Sequence, residues 1–264
     1  MGSTTPVIGI VGGSGMLGSA IATAILRDGA IAPECFWISN QSGKVPDLGQ
    51  GADIHVTSNN QDLVDACDGI ILCVPPARFP DLKINASGKL VISVMAGVII
   101  DRIAAQTGAS RVIRAMSSPA AALALAYSPW CANPAVTDED RKTVELVLRA
   151  CGKTDEVFDE SHIDHFTAIT GPVPGFVALF AQCMADYAES QGIDANVADR
   201  AVRQLFLAGG TMLAERPERP ADHVRGMIDY AGTTAAGLTA MIDADLHSTI
   251  SDGLLAAANK AKSL

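Results

Sequence analysis

Residues 7–18 read Val-Ile-Gly-Ile-Val-Gly-Gly-Ser-Gly-Met-Leu-Gly, a short apolar run that breaks into glycines and then into a helix-forming stretch. Gly13, Gly15 and Gly18 occupy the three positions of a G-x-G-x-x-G pattern. In that reading Gly13 permits the tight turn, Gly15 lets a pyrophosphate approach the backbone, and Gly18 lets the following helix (16–26) pack close to its strand. The helix start offers unpaired N–H groups and the positive end of its dipole to phosphates. Gly13, Ser14, Gly15, Met16 and Leu17 are therefore the expected dinucleotide contacts. A bare glycine-rich turn is the competing reading, and the flanking strand and helix argue against it.

The chain after this turn alternates apolar strands, at 35–39, 69–74, 89–95 and 111–116, with helical runs at 61–67 and 99–106. The runs at 69–74 and 89–95 are apolar throughout, as parallel strands covered on both faces must be. The alternation predicts a doubly wound α/β sheet. Thr137-Asp-Glu-Asp140 reads as an N-cap with an acidic first turn, opening a helix through residue 150. A last strand at 153–158 closes a dinucleotide-binding domain over 1–158.

From residue 159 the pattern is helical only, with segments at 176–191, 196–215, 221–227, 233–242 and 247–261. Pro172 and Pro174 break the chain just before the first of these. The helices at 176–191 and 196–215 carry long apolar stripes with little polar surface. That predicts a helical dimerisation and substrate domain over 159–264, in a homodimer or higher homo-oligomer.

The formal net charge of −10 and the lack of a basic patch exclude a nucleic-acid partner. No apolar run is long enough to span a bilayer, and the first residues do not read as a signal peptide. Six cysteines are scattered without C-x-x-C spacing. They read as reduced thiols of a cytoplasmic protein, Cys73 and Cys183 as small core hydrophobes.

NAD-preferring sites place Asp or Glu at the end of the second strand to hold the ribose hydroxyls. Here that end reads Ile38-Ser39-Asn40-Gln41-Ser42-Gly43-Lys44, with no carboxylate. Ser39 and Asn40 leave room for a 2′-phosphate, so NADP(H) is the expected cofactor; an ordinary polar turn selects the same residues. His162 and His165, beside Glu160 and Asp164, have metal-ligand spacing but no distant third ligand, so an acidic capped helix turn is preferred and no metal is expected. Gly232-Thr233-Thr234 at a helix start offers free N–H groups and two hydroxyls to a carboxylate or polar imine, or equally a threonine N-cap.

Together these segments resemble the pyrroline-5-carboxylate reductases over nearly the whole chain. Residues 8–16 are similar to that family's cofactor turn. Leu90-Val-Ile-Ser-Val-Met-Ala-Gly97 is similar to its "LVISIAAG", Ile169-Thr-Gly-Pro-Val-Pro-Gly-Phe176 to its "LSGSGPAY", and Gly232-Thr-Thr-Ala-Ala-Gly-Leu238 to the end of its "SPGGTTIAGL". The resemblance implies a Rossmann-type N-terminal domain, a helical dimer domain, and reduction of a cyclic imine by NAD(P)H. It carries a ring-nitrogen contact onto Thr234. It also adds Val74, Pro75 and Ala96 to the expected cofactor contacts, and Met116, Ser118, Gly232 and Thr233 to the substrate contacts beside Thr234.

The departures are specific. The family's "VKPQ" is Val74-Pro75-Pro76-Ala77, without its lysine, and "MPNTPA" is the shorter Met116-Ser117-Ser118-Pro119-Ala120. Asp229 replaces a serine that faces the substrate carboxylate. Asp229 points away, is protonated, or faces a different substrate; it also reads as a general acid or as an exposed turn residue. The default expectation is reduction of pyrroline-5-carboxylate to proline. A hydroxylated, N-alkylated or uncarboxylated pyrroline is the alternative, and an NADP(H)-binding protein without turnover a third. A 3-hydroxyacid dehydrogenase relative is disfavoured because residues 171–176 hold no lysine.

Overall fold

The computed structural model describes residues 6–44, 48 and 53–263; residues 1–5, on which the leader reading bears, lie outside them. Two compact units are present, one of residues 1–172 with 254–264 and one of residues 173–253.

In the first unit Ile8–Val11 (β1) leads into Met16–Asp28 (α1), followed by Phe36–Ser39 (β2), His55–Thr57 (β3), Asn60–Ala66 (α2) and Gly69–Leu72 (β4). Leu90–Ser93 (β5), Ile100–Thr107 (α3), Arg111–Ala115 (β6), Ala126–Tyr127 (β7) and Trp130–Ala132 (β8) come next. Asp138–Cys151 (α4), Gly152–Lys153 (β9) and Ser161–Ile169 (α5) complete it. The main sheet runs β3-β2-β1-β4-β5-β6-β8. Its first six strands are parallel and β8 is antiparallel to β6.

Alternate residues of each strand enter two apolar layers. Ile71, Ile92 and Ile113 pack with α1 and α4, whereas Ile70, Val91 and Val112 pack with α2 and α3. Both faces are covered, which is why these strands are apolar throughout. The expected doubly wound sheet is thus present, with chain reversal on either side of β1.

Three strand expectations are corrected. β3 was not anticipated, because three residues beginning with an exposed histidine give no alternating signal. The strand expected at 153–158 is reduced to β9, which pairs with β7 in a separate two-stranded sheet, and to a single parallel bridge from Glu156 to Trp130. The main sheet ends instead on β8, whose indole Trp130 is 1% exposed.

By contacts α5 groups with the first unit, which runs to Pro172, because it is bound to the sheet. Buried Arg114 of β6 pairs with Asp164, and its Nη1 lies 3.3 Å from Glu160 Oε1. The cap at Thr137 is a capping box: its hydroxyl accepts the Asp140 amide at 3.2 Å, and Asp140 accepts the Thr137 amide at 2.9 Å.

The second unit holds Gly175–Ser190 (α6), Ala195–Glu215 (α7), Pro220–Asp229 (α8), Thr233–Asp243 (α9) and the start of Leu246–Lys262 (α10). α6 has no buried residue, although much of it is apolar. No helix among the described residues is long and apolar enough to cross a membrane.

Candidate functional site

The crossing of β1 toward β2 on one side and β4 on the other leaves a crevice at the strands' C-terminal ends, where open α/β sheets bind ligands. The glycine turn floors it. The amides of Gly12 and Gly13 both donate to the Ser39 carbonyl, at 3.1 and 3.2 Å, which locks the turn to β2.

The structure redistributes the glycine roles. The left-handed residue of the turn is Gly12, with φ +85°, rather than Gly13. Gly13 is required for another reason: a Cβ there would lie 2.6 Å from the Ile38 side chain. A Cβ on Gly18 would run into the Gly12 carbonyl oxygen and lie 2.9 Å from the Gly13 Cα, so this glycine sets the approach of α1 to the turn. A Cβ on Gly15 would meet only the Gly12 oxygen, at 3.4 Å. Its outer side is open, as a backbone that receives a pyrophosphate must be.

The crevice has a volume of about 600 Å³. Of the expected cofactor residues, Ser14, Gly15, Ser39, Asn40, Val74 and Pro75 line it together. Gly13 lies beneath it against Ile38, while Met16 and Leu17 head α1 with amides that have no intrahelical partner. Ala96 sits half-buried in the turn after β5 and is not part of this lining.

Gly12, Gln41, Ser42, Ser58, Asn60, Arg78 and Asp81 also line the crevice and were not anticipated. The doubling of glycine at Gly12-Gly13 was a usable signal for Gly12. Ser58 and Asn60 were hidden because β3 itself was not legible. Among the described residues the Ser39 hydroxyl is buried, without a hydrogen-bond partner, at the edge of the crevice. Open backbone at Gly15, unpaired helix amides and this orphaned hydroxyl fit a dinucleotide's phosphates and ribose.

Asn40 serves the crevice indirectly. Its Oδ1 accepts both the amide and the hydroxyl of Ser42, at 3.1 and 3.0 Å, and its Nδ2 donates to the Lys44 carbonyl at 2.8 Å. The side chain is occupied in shaping its own loop, so it presents Gln41 and Ser42 rather than itself.

Beyond β6, Met116 belongs to the apolar layer that also holds Met95 and Ile163. Ser118 is 2% exposed and starts a short 3₁₀ turn, and the adjacent Ser117 hydroxyl is 2.9 Å from that of Ser128. Met116 therefore supports this loop through its side chain. Glu160 and Asp164 are engaged by Arg114, and Glu160 also accepts the Ile100 amide at 2.8 Å. The carboxylates beside His162 and His165 thus hold α5 and α3.

In the second unit, α8 ends at Asp229 and the chain reverses through Ala231, whose φ is +58°, into Gly232 as N-cap of α9. Thr233 and Thr234 occupy the first turn of α9, both exposed. Neither threonine caps the helix through its side chain: the cap is Gly232. The Thr234 hydroxyl and the Asp229 carboxylate have no hydrogen-bond or ion-pair partner among the described residues. Hydroxyl and helix-head amides are free for a polar ligand.

The cysteines are unpaired. Burial pushes the Cys67 and Cys151 thiols up to about 12 and that of Cys73 higher still. Cys183 is exposed on α6 and is not the core residue expected.

Residues 160–264 match the family model described as pyrroline-5-carboxylate reductase dimerisation, and residues 7–97 match one described as NADP oxidoreductase coenzyme F420-dependent. The pyrroline-5-carboxylate reductase of Schizosaccharomyces pombe is 31% identical over 201 residues, covering 74% of this chain and 71% of that protein. The enzyme of that name from Synechocystis sp. is 26% identical over 262 residues, 97% of each chain. The Plasmodium falciparum pyrroline carboxylate reductase, solved with NADP bound, shares the fold with a TM-score of 0.81 at 24% identity, over 99% of both chains. By sequence and by fold, the chain belongs to the pyrroline-5-carboxylate reductase family.

Proposed function

We propose that this protein reduces a cyclic imine with NADPH, with pyrroline-5-carboxylate as the default substrate and proline as its product. The observation that carries this reading is the exposed Gly232-Thr233-Thr234 head of α9, with its unengaged hydroxyl, retained in a family member that also keeps an open glycine-floored crevice.

NADPH, when bound, supplies the hydride that adds to the imine carbon. Gly15, the α1 amides and Ser39 hold its phosphates and ribose, and the absence of a carboxylate on the β2 end admits a 2′-phosphate. The Thr234 Oγ–H donates to the ring nitrogen and fixes the ring's orientation. A threonine hydroxyl is a poor acid at neutral pH, so it positions or relays a proton rather than supplying one unaided. Gly232 and Thr233 hold the substrate's polar group on the helix-head amides. Met116 and Ser118 are the further substrate contacts that the family resemblance implies, although both are buried and the Met116 amide donates to the Pro129 carbonyl at 3.0 Å. Most of the rate enhancement then comes from positioning.

In this reading residues 1–158 form the cofactor domain and residues 159–264 the dimerisation and substrate domain, which the family match over 160–264 supports. The apolar side chains left exposed on α6 and α7, including Leu179, Phe180, Met184, Leu205 and Leu207, support a homodimer. Free cysteines and a net charge of −10 support a cytoplasmic protein without a nucleic-acid partner.

A second reading, reduction of a different pyrroline, is favoured by Asp229. A carboxylate with no counter-cation beside a substrate carboxylate costs about 1–4 kcal/mol at ~4 Å. NADPH oxidation followed against cyclic imines with and without carboxylates tests both readings. Turnover of pyrroline-5-carboxylate supports the default, turnover of uncarboxylated rings alone supports the second, and NADPH binding without any turnover leaves a cofactor-binding protein.

A further inference from the structure

We infer that Arg78 selects the 2′-phosphorylated dinucleotide, reaching the adenosine end of the crevice from the β4 side rather than from the β2 loop. The inference rests on the NADPH reading above and assigns its discrimination to one residue.

A 2′-phosphate carries up to two negative charges and calls for a cation. Among the described residues lining the crevice, Arg78 is the one lysine or arginine. Asn40 has spent its polar atoms on Ser42 and Lys44, and Lys44 does not line the crevice. The guanidinium of Arg78 is exposed and makes no ion pair or hydrogen bond with any described residue. It is a charge without a structural task.

Its backbone, by contrast, is fixed. Arg78 lies in the 3₁₀ turn Pro76–Asp81, where its amide donates to the Pro75 carbonyl at 2.8 Å. Phe79, next in sequence, is 1% exposed in the apolar layer below. Gln106 of α3 donates to the Pro80 and Leu82 carbonyls at 3.3 and 2.9 Å. A pinned backbone under a free guanidinium suits a specificity contact, because only the side chain's rotamer freedom, and not the loop's, remains to be lost on binding.

Asp81 sharpens the assignment. It lines the same crevice and, among the described residues there, is the one carboxylate. With Arg78 present the lining is neutral. Without it, Asp81 leaves a net negative charge that opposes an added 2′-phosphate more than a free 2′-hydroxyl.

The test is binding rather than turnover. Dissociation constants of NADPH, NADH, 2′,5′-ADP and 5′-AMP are measured by calorimetry for the full chain and for Arg78→Ala. The expected result is a loss of about 10- to 100-fold for NADPH and 2′,5′-ADP, with NADH and 5′-AMP held within about twofold. Equal losses for phosphorylated and unphosphorylated ligands, or no loss at all, overturn the inference while the NADPH reading survives. A wild-type protein that binds NADH as tightly as NADPH overturns the NADPH reading itself and the inference with it. Unchanged thermal unfolding of Arg78→Ala confirms that the fold is intact in the comparison.

Discussion

Arg114 and Glu160, 46 residues apart, meet where β6 faces the heads of α3 and α5: Nη1 of the arginine is 3.3 Å from an Oε1 that also accepts the Ile100 amide at 2.8 Å. One carboxylate thereby joins β6, the head of α3 and the head of α5. Asp164 takes the other arm of the guanidinium, and Arg114 is 1% exposed. Arg114→Met removes the shared cation and strands the buried Asp164 carboxylate. A stability loss of about 3–5 kcal/mol is expected from urea unfolding at neutral pH. A change below about 1 kcal/mol would show that the junction contributes little.

Gly15→Ala and Gly18→Ala separate binding from folding within one turn. The Gly15 variant adds a Cβ that meets only the Gly12 oxygen, so its unfolding temperature stays near wild type while NADPH affinity falls about tenfold or more. The Gly18 variant drives a Cβ into backbone and loses about 1–3 kcal/mol as well as affinity. Equal unfolding temperatures for the two would contradict the geometry of the turn.

Thr234→Ala lowers turnover or raises KM for the imine while leaving the NADPH dissociation constant nearly intact. Steady-state kinetics beside cofactor titration distinguish this from a structural effect, which would move both. Asp229→Ser removes a charge from the same turn. If Asp229 disfavours carboxylated substrates, the variant gains on pyrroline-5-carboxylate relative to uncarboxylated rings. If it is a general acid, turnover falls for every imine, most steeply at high pH.

Stability should fall as pH rises above 9. Cys67 and Cys151 are raised from 9.0 to about 12 by burial, so the unfolded thiols ionise first and draw the equilibrium toward the unfolded chain. Their contribution is complete below pH 9 and disappears toward 12. Urea midpoints at about pH 8 and pH 10.5 measure the slope, which Cys151→Ala should make shallower; an unchanged slope would exclude Cys151 as a source.

Light scattering should give a mass of at least two chains at micromolar concentration. Leu205→Glu and Leu207→Glu, on the exposed apolar surface of α7, should shift that mass toward one chain. A stable, active monomer of the unaltered chain would refute the homodimer.

The glycine turn, the all-apolar parallel strands and the helical second half were legible because each is written in local chemistry. Glycine where no Cβ fits, unbroken apolar runs where both faces are covered, and a threonine with an aspartate three residues on at a helix head all act within a few residues. Thr137 and Asp140 are the clearest instance. What each glycine of the turn must avoid was set by contacts from distant strands: a Cβ would meet Ile38 at Gly13 and the Cys73 carbonyl at Gly12. The short strands β3 and β8 carry too few residues to show a period and exist because neighbouring strands supply their hydrogen bonds. The placement of α5 in the first unit, and of Arg78 at the crevice, likewise depended on partners many residues away. Sequence by itself determined where backbone could bend and what each face would bury. Tertiary structure alone decided which polar side chains were consumed in holding loops, as Asn40 is, and which remained free to meet a ligand.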